Sequence, residues 1–143
     1  MVRDIVPFIL KKPCSFPIME NKEKEFIKLK FGLAFRKIID KNKAKALENK
    51  DNDISDRNLI NSFRKLETAS GIRNATILEL IAGKKNAAST TIIALLDALE
   101  MTLGEFGSIY DSIKEQEVSE YKRTLEKSKK ESIRIKQGQK KKK

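Results

Sequence analysis

Apolar residues recur at helical spacing through most of the chain, and glycines and polar clusters mark where one run stops and the next begins. The clearest pattern covers residues 63 to 105, FRKLETASGIRNATILELIAGKKNAASTTIIALLDALEMTLGE. It reads as three short helices separated by two tight breaks. Gly71 lies at the first break, because glycine takes the left-handed conformation that ends a helix without steric cost. The next helical run starts only a few residues later, near Ala75, so the two helices must cross steeply. Leu66, Ile72, Ile77 and Leu80 are spaced to meet inside that crossing. Gly83 ends the second helix, and Lys84, Lys85 and Asn86 follow as a polar turn. Ser89 is expected as the N-cap of the third, in which Ile92, Leu95, Leu96 and Leu99 share a face.

Upstream, residues 25 to 41 carry Ile27, Phe31, Ala34, Phe35 and Ile38 on one helical face, with Lys28, Lys30, Arg36 and Lys37 off it as a solvated side. Residues 42 to 53 lack a strong period and are expected as a polar loop, with or without one helical turn around residues 44 to 47. Asp51, Asp53 and Ser55 have part of a calcium-loop pattern. Asp56 stands where the loop needs glycine, and Ser62 where it needs an acidic ligand, so that reading fails. Ser55 is expected as the N-cap of a helix carrying Leu59, Ile60, Phe63 and Leu66, with Asn58 leaving the capping box incomplete. Downstream, Thr102 and Glu105 have the spacing of a capping box, and Phe106, Ile109, Tyr110 and Ile113 form an apolar stripe behind it.

The two ends differ from this middle. Residues 1 to 24 mix Ile5, Val6, Phe8, Ile9 and Leu10 with Pro7, Pro13 and Pro17, which interrupt any helix. They read as an extended arm laying apolar side chains on the domain. The alternative is an arm reaching a partner subunit or DNA with Arg3, Lys11 and Lys12. After Ile113, Val118, Tyr121 and Leu125 outline a thin amphipathic helix among charges. Residues 122 to 143 hold eleven Lys or Arg against two Glu, a net of +9, which leaves only +2 for the rest of the chain. Such a block is too polar and self-repelling to fold alone. It is expected either to bind phosphate without reading bases or to serve as a solubilising end.

Composition narrows the function. Of the 143 residues 39% are hydrophobic, below the usual share for a domain, and 36% are charged, above it, so part of the chain cannot be buried. There is no histidine, which removes Ser-His and Cys-His pairs, the usual acid–base group at neutral pH and the commonest metal ligand. The one cysteine, Cys14, excludes an internal disulfide or a multi-cysteine zinc site and reads as an inert thiol. No carboxylate pair demands chemistry. An enzyme is not expected, nor any cofactor or metal. No apolar run approaches the ~20 residues of a membrane span. The opening IVPFIL does not make a signal sequence, so a cytoplasmic location is expected. The net charge of +11 points to a polyanionic partner, most often nucleic acid.

The 63 to 105 stretch resembles the helix-turn-helix of the lambda-repressor-like (XRE, Cro-like) DNA-binding family, and the resemblance extends over residues 25 to 113. It implies that Leu66 fills the buried site of the first helix. Gly71 and Ile72 make the turn and its plug, and Ile77 and Leu80 are the inner face of the recognition helix. Gly83-Lys84-Lys85-Asn86 looks like the family's G-K-R-N-P exit turn, with Ala87 in place of proline. Glu67 departs from the family's usual alanine at a close helix approach. In this family the last helix closes the core or builds a dimer contact, and the spacing of Phe106 to Ile113 allows either.

The resulting expectation is an all-α protein with a compact lambda-repressor-like bundle of about five helices at residues 25 to 113. It has an N-terminal arm at residues 1 to 24 and a charged helix or disordered basic tail at residues 114 to 143. The resemblance further implies a sequence-specific transcriptional regulator, working as a homodimer on double-stranded DNA. The helix around Arg73 would enter the major groove by its N-terminal end. Arg73 suits guanine O6 and N7, Asn74 suits adenine N6 and N7, Ala75 or Leu78 suits a thymine methyl, and Glu79 suits cytosine N4. Ser70, Thr76, Lys84, Lys85 and Asn86 are expected at the phosphate backbone, where contacts fix register. Thr76 has the equal alternative of a helix-interior filler. Two other functions stay open. One is an antitoxin-like or coactivator-like module holding a protein partner on the Phe106 stripe or the arm. The other is a sequence-indifferent nucleic-acid binder driven by the tail.

Overall fold

The computed structural model describes residues 20–52 and 59–140; arm residues 1–19, including Cys14, and Ser55 and the last three lysines lie outside them, whereas residues 21–24, expected as the end of the arm, are already helical. Among the described residues there are six helices and no strand. These are α1 (Asn21–Asp51), α2 (Phe63–Ser70), α3 (Asn74–Ile81), α4 (Ser89–Ala98), α5 (Leu103–Ser112) and α6 (Glu115–Lys140). The sixth helix is the segment whose fold as a tail had been left open.

α1 is the spine. Leu29, Leu33, Ala34, Phe35, Ile38 and Ile39 are buried on it, and α3, α5 and α6 all pack against it. It does not stop near residue 41. Lysine, alanine, leucine and glutamate between residues 43 and 48 are strong helix formers. The helix therefore continues without an apolar period, and the expected loop at 42 to 53 is helical through Asp51. Asn42 Nδ2 donates to the Ile60 carbonyl at 2.8 Å and ties this extension to the strand of chain entering α2. Leu59 and Ile60 precede α2 rather than belonging to it. The helix starts at Phe63, with Ser62 as the cap accepting from Lys65 N at 3.2 Å.

Both expected glycine breaks are present. Gly71 has φ 74 and donates to Glu67 O at 2.9 Å. Gly83 has φ 69; its N–H donates to Leu80 O at 3.1 Å and that of Lys84 to Glu79 O at 3.0 Å, a Schellman ending for α3. α4 is capped by Ala88, and Ser89 is its first residue, so the expected serine cap is not used. Its far end repeats the Schellman pattern with Glu100 at φ 55 in the position glycine usually fills. The capping box at α5 forms as expected: Glu105 N donates to Thr102 Oγ1 at 3.2 Å and Thr102 N to Glu105 Oε2 at 3.3 Å.

The centre of the bundle is aromatic. Phe106 of α5 lies 4.7 Å from Phe35 and 5.8 Å from Phe31 between ring centroids, and Tyr110 lies 4.8 Å from Phe31. Lys30 Nζ covers the outer side of Tyr110 at 4.3 Å. α6 runs antiparallel to α1. Glu117 meets Lys37 at 2.6 Å and Lys122 meets Glu25 at 3.1 Å, while Val118 and Tyr121 are buried between these pairs. The core therefore extends past residue 113, where the domain edge was expected. The hydrogen bond from Lys37 and a second from the Lys114 backbone hold the Glu117 carboxyl below its ordinary value.

Candidate nucleic-acid interface

α3 is short and is held in place largely by its C-terminal half. Ile77, Leu80 and Ile81 are buried beneath it. α1 approaches at Gly32: a Cβ there would collide with the Ile81 carbonyl oxygen and lie 2.8 Å from that of Leu80. A Cβ on Gly83 would meet Leu29 Cδ2 at 2.8 Å, in a backbone conformation that side chains disfavour. The Ile81 carbonyl has no acceptor duty inside its own helix end, and Tyr121 of α6 donates its hydroxyl to it at 2.5 Å. Burial pushes the Tyr121 hydroxyl above its ordinary value, with Arg36 acting against that shift. A close backbone approach thus falls between Gly32 and the end of α3. Glu67, where the resemblance implied one, is half-buried on α2.

The opposite face of α3 is free. Arg73 is the N-cap and is exposed, as are Ala75 and Glu79. Leu78 keeps 45% of its surface, which is unusual for leucine on a helix so firmly seated. Thr76 is half-buried, in keeping with the filler reading as much as with a phosphate contact. Lys84, Lys85 and Asn86 are exposed on the following turn. Lys85 Nζ lies 3.7 Å from Glu79 Oε2, so these two expected contacts partly satisfy one another. Beneath this turn a cleft of about 260 Å³ opens between Ile27, Phe31, Leu80 and Ile92, with Lys28 and Lys85 at its edge.

Two expected site residues are placed differently. Asn74 Oδ1 is buried with no hydrogen-bond partner, so the two-bond pairing with adenine is not presented in this conformation. The Ser70 hydroxyl donates to Leu66 O at 2.6 Å and accepts from Ile72 N at 3.2 Å. It knits the turn together, and both of its usual bonds are already made. The apolar stripe of α5 is likewise largely spent, since Phe106 is buried and Tyr110 packs on Phe31.

Sequence reasoning missed Gly32 and the Tyr121 hydroxyl. The available signals were a glycine interrupting a strong helical run and a tyrosine on an otherwise aliphatic face. Among the described residues no three acidic or Cys residues gather as a metal site would need, and no helix is long and apolar enough to cross a membrane. A comparison with protein-family models, with curated proteins and with solved structures finds no match to this chain.

Proposed function

We propose that the chain is a sequence-specific DNA-binding regulator on a lambda-repressor-like helix-turn-helix, with α3 entering the major groove as part of a homodimer. The observation that carries this reading is the division of α3 into two faces. Its inner face is pinned by Gly32, Gly83 and Tyr121. Its outer face offers Arg73, Ala75, Leu78 and Glu79 to solvent. A side chain that reads base edges must be exposed and yet mounted on a backbone that does not yield. Arg73 is the strongest specificity candidate, because a guanidinium at a helix start can place two donors on guanine. Asn74 joins only if its amide turns outward. Lys84 and Asn86 supply backbone contacts that set register.

The test is selection of bound duplexes from a random pool at physiological salt. A short, roughly palindromic preference is expected, and Arg73→Ala should erase discrimination at one base pair per half-site, a loss of roughly 1–3 kcal/mol. An identical selected sequence for the variant sinks the assignment of Arg73. A duplex affinity that ignores sequence, with a stoichiometric protein partner recovered instead, turns the reading to the protein-binding alternative.

A further inference from the structure

The basic excess near the C-terminus, expected as a charged helix or a disordered tail, is largely built into a helix with a definite direction. α6 is docked on α1 only through its first part, by Val118, Tyr121 and the half-buried Leu125. Every residue from Glu126 to Lys140 is exposed. At about 100° per residue, the positions that continue the docked side carry Ser128, Lys129, Ser132, Lys136 and Gln139. None of these could hold the helix against an apolar neighbour. Ser128 and Ser132 hydroxyls already bond the carbonyls four residues back, at 3.0 and 2.9 Å. The helix therefore leaves the bundle near Leu125. Because it is antiparallel to α1, with Lys122 beside Glu25, it leaves past the start of α1.

On the side away from α1 stand Arg123, Lys127, Lys130 and Arg134. Their spacing of four, three and four residues places all four within about 60° of helix circumference and along about 16 Å of axis. All are exposed, and among the described residues none has a carboxylate within ion-pair distance. Ile133 and Ile135, 54% and 62% exposed, fall on different sides of the helix and form no apolar stripe. A membrane-surface helix needs an apolar face as well as a basic one. A helix dimer needs an apolar seam. A line of fixed cations without either matches a line of fixed phosphates.

We propose that α6 is a second nucleic-acid contact, in which Arg123, Lys127, Lys130 and Arg134 seat on the phosphodiester backbone of the duplex that α3 reads. This rests on the DNA-binding reading and adds a partner surface to it. The contact reads no bases. It is tied to the reading helix through Tyr121, whose hydroxyl holds the last carbonyl of α3 only two residues before the line of cations begins at Arg123.

The experiment compares two variants of the full chain with equal charge loss. One is Lys127→Gln, Lys130→Gln, Arg134→Gln. The other is Lys129→Gln, Lys136→Gln, Lys140→Gln. The slope of log affinity against log salt is measured on a selected duplex, with circular dichroism and a melting curve as folding controls. The first variant is expected to flatten the slope by about 2.7, some 0.9 for each lost contact, and the second by less than 1. Base preference in the selection should be unchanged in both, which separates this result from the Arg73 test. Equal flattening by the two variants would make α6 a diffuse charge and overturn the proposal. So would no flattening by either, or equal binding of the unmodified chain to vesicles rich in anionic lipid. If α3 shows no base preference but the first variant still flattens the slope on arbitrary duplex, the stripe stands and the specificity reading falls.

Discussion

The two halves of α6 share one backbone and differ in everything that determines what a helix is for. The half up to Leu125 is specified by packing: Val118 and Tyr121 are buried, and Glu117 and Lys122 reach partners on α1. The half beyond it is exposed at every described residue, and its regularity lies in the spacing of cations. The first half can be judged by stability and the second by binding, and a substitution that moved both would contradict the division. The contrast also shows why net charge is a coarse guide. The same lysines and arginines that composition reduces to a net charge become a line with a length and an orientation once the helix is set.

Two substitutions and one deletion break or sharpen this contrast, the largest effect first. Gly32→Val puts a branched side chain into the Ile81 carbonyl, and backbone cannot yield as a flexible side chain would. The overpacking cost is typically about 1–3 kcal/mol, and here the top of that range or more is expected, as a fall in urea midpoint with loss of duplex preference. An unaltered midpoint would mean that α1 and α3 do not meet there.

Tyr121→Phe keeps the ring and removes only the hydroxyl from Ile81 O. A loss of about 1–2 kcal/mol in urea melts is expected, since a partly sheltered carbonyl is left without its donor. The pH dependence gives its own check. The Tyr121 hydroxyl is raised above its ordinary 10.0, so its contribution is whole below that pH and is lost as pH climbs through the folded value. The Phe variant should lack this alkaline loss.

Smallest of all, deleting residues 126 to 143 removes no buried side chain among the described residues. The midpoint should move by no more than about 0.5 kcal/mol, while the salt dependence of duplex binding flattens strongly. A marked drop in midpoint would show that the outer half of α6 supports the bundle after all.

What could be read in advance follows from how local each cause is. Gly71, Gly83 and the Thr102–Glu105 pair act within a few residues, and their patterns name their structures. Helix starts were less legible where several polar residues could serve. Ser62 caps α2, and Ala88 precedes α4 with no side-chain bond at all. The extension of α1 to Asp51 was hidden because apolar period and helix propensity are separate signals, and only the second persists there. Least legible were the long-range items. Gly32 owes its necessity to a carbonyl 49 positions later, and Tyr121 to one 40 positions earlier. The outward face of α3 could be read from Ile77 and Leu80, whereas the inward turn of Asn74 Oδ1 depends on its neighbours in space.

The carbonyl of Ile81 has one further implication. With the Gly32 backbone on one side and the Tyr121 phenol on the other, one carbonyl oxygen is where α1, α3 and α6 meet, while the opposite end of α3 is tied to α2 through the turn at Gly71 and Ile72. A substitution in any of these three helices is therefore expected to weaken the same joint.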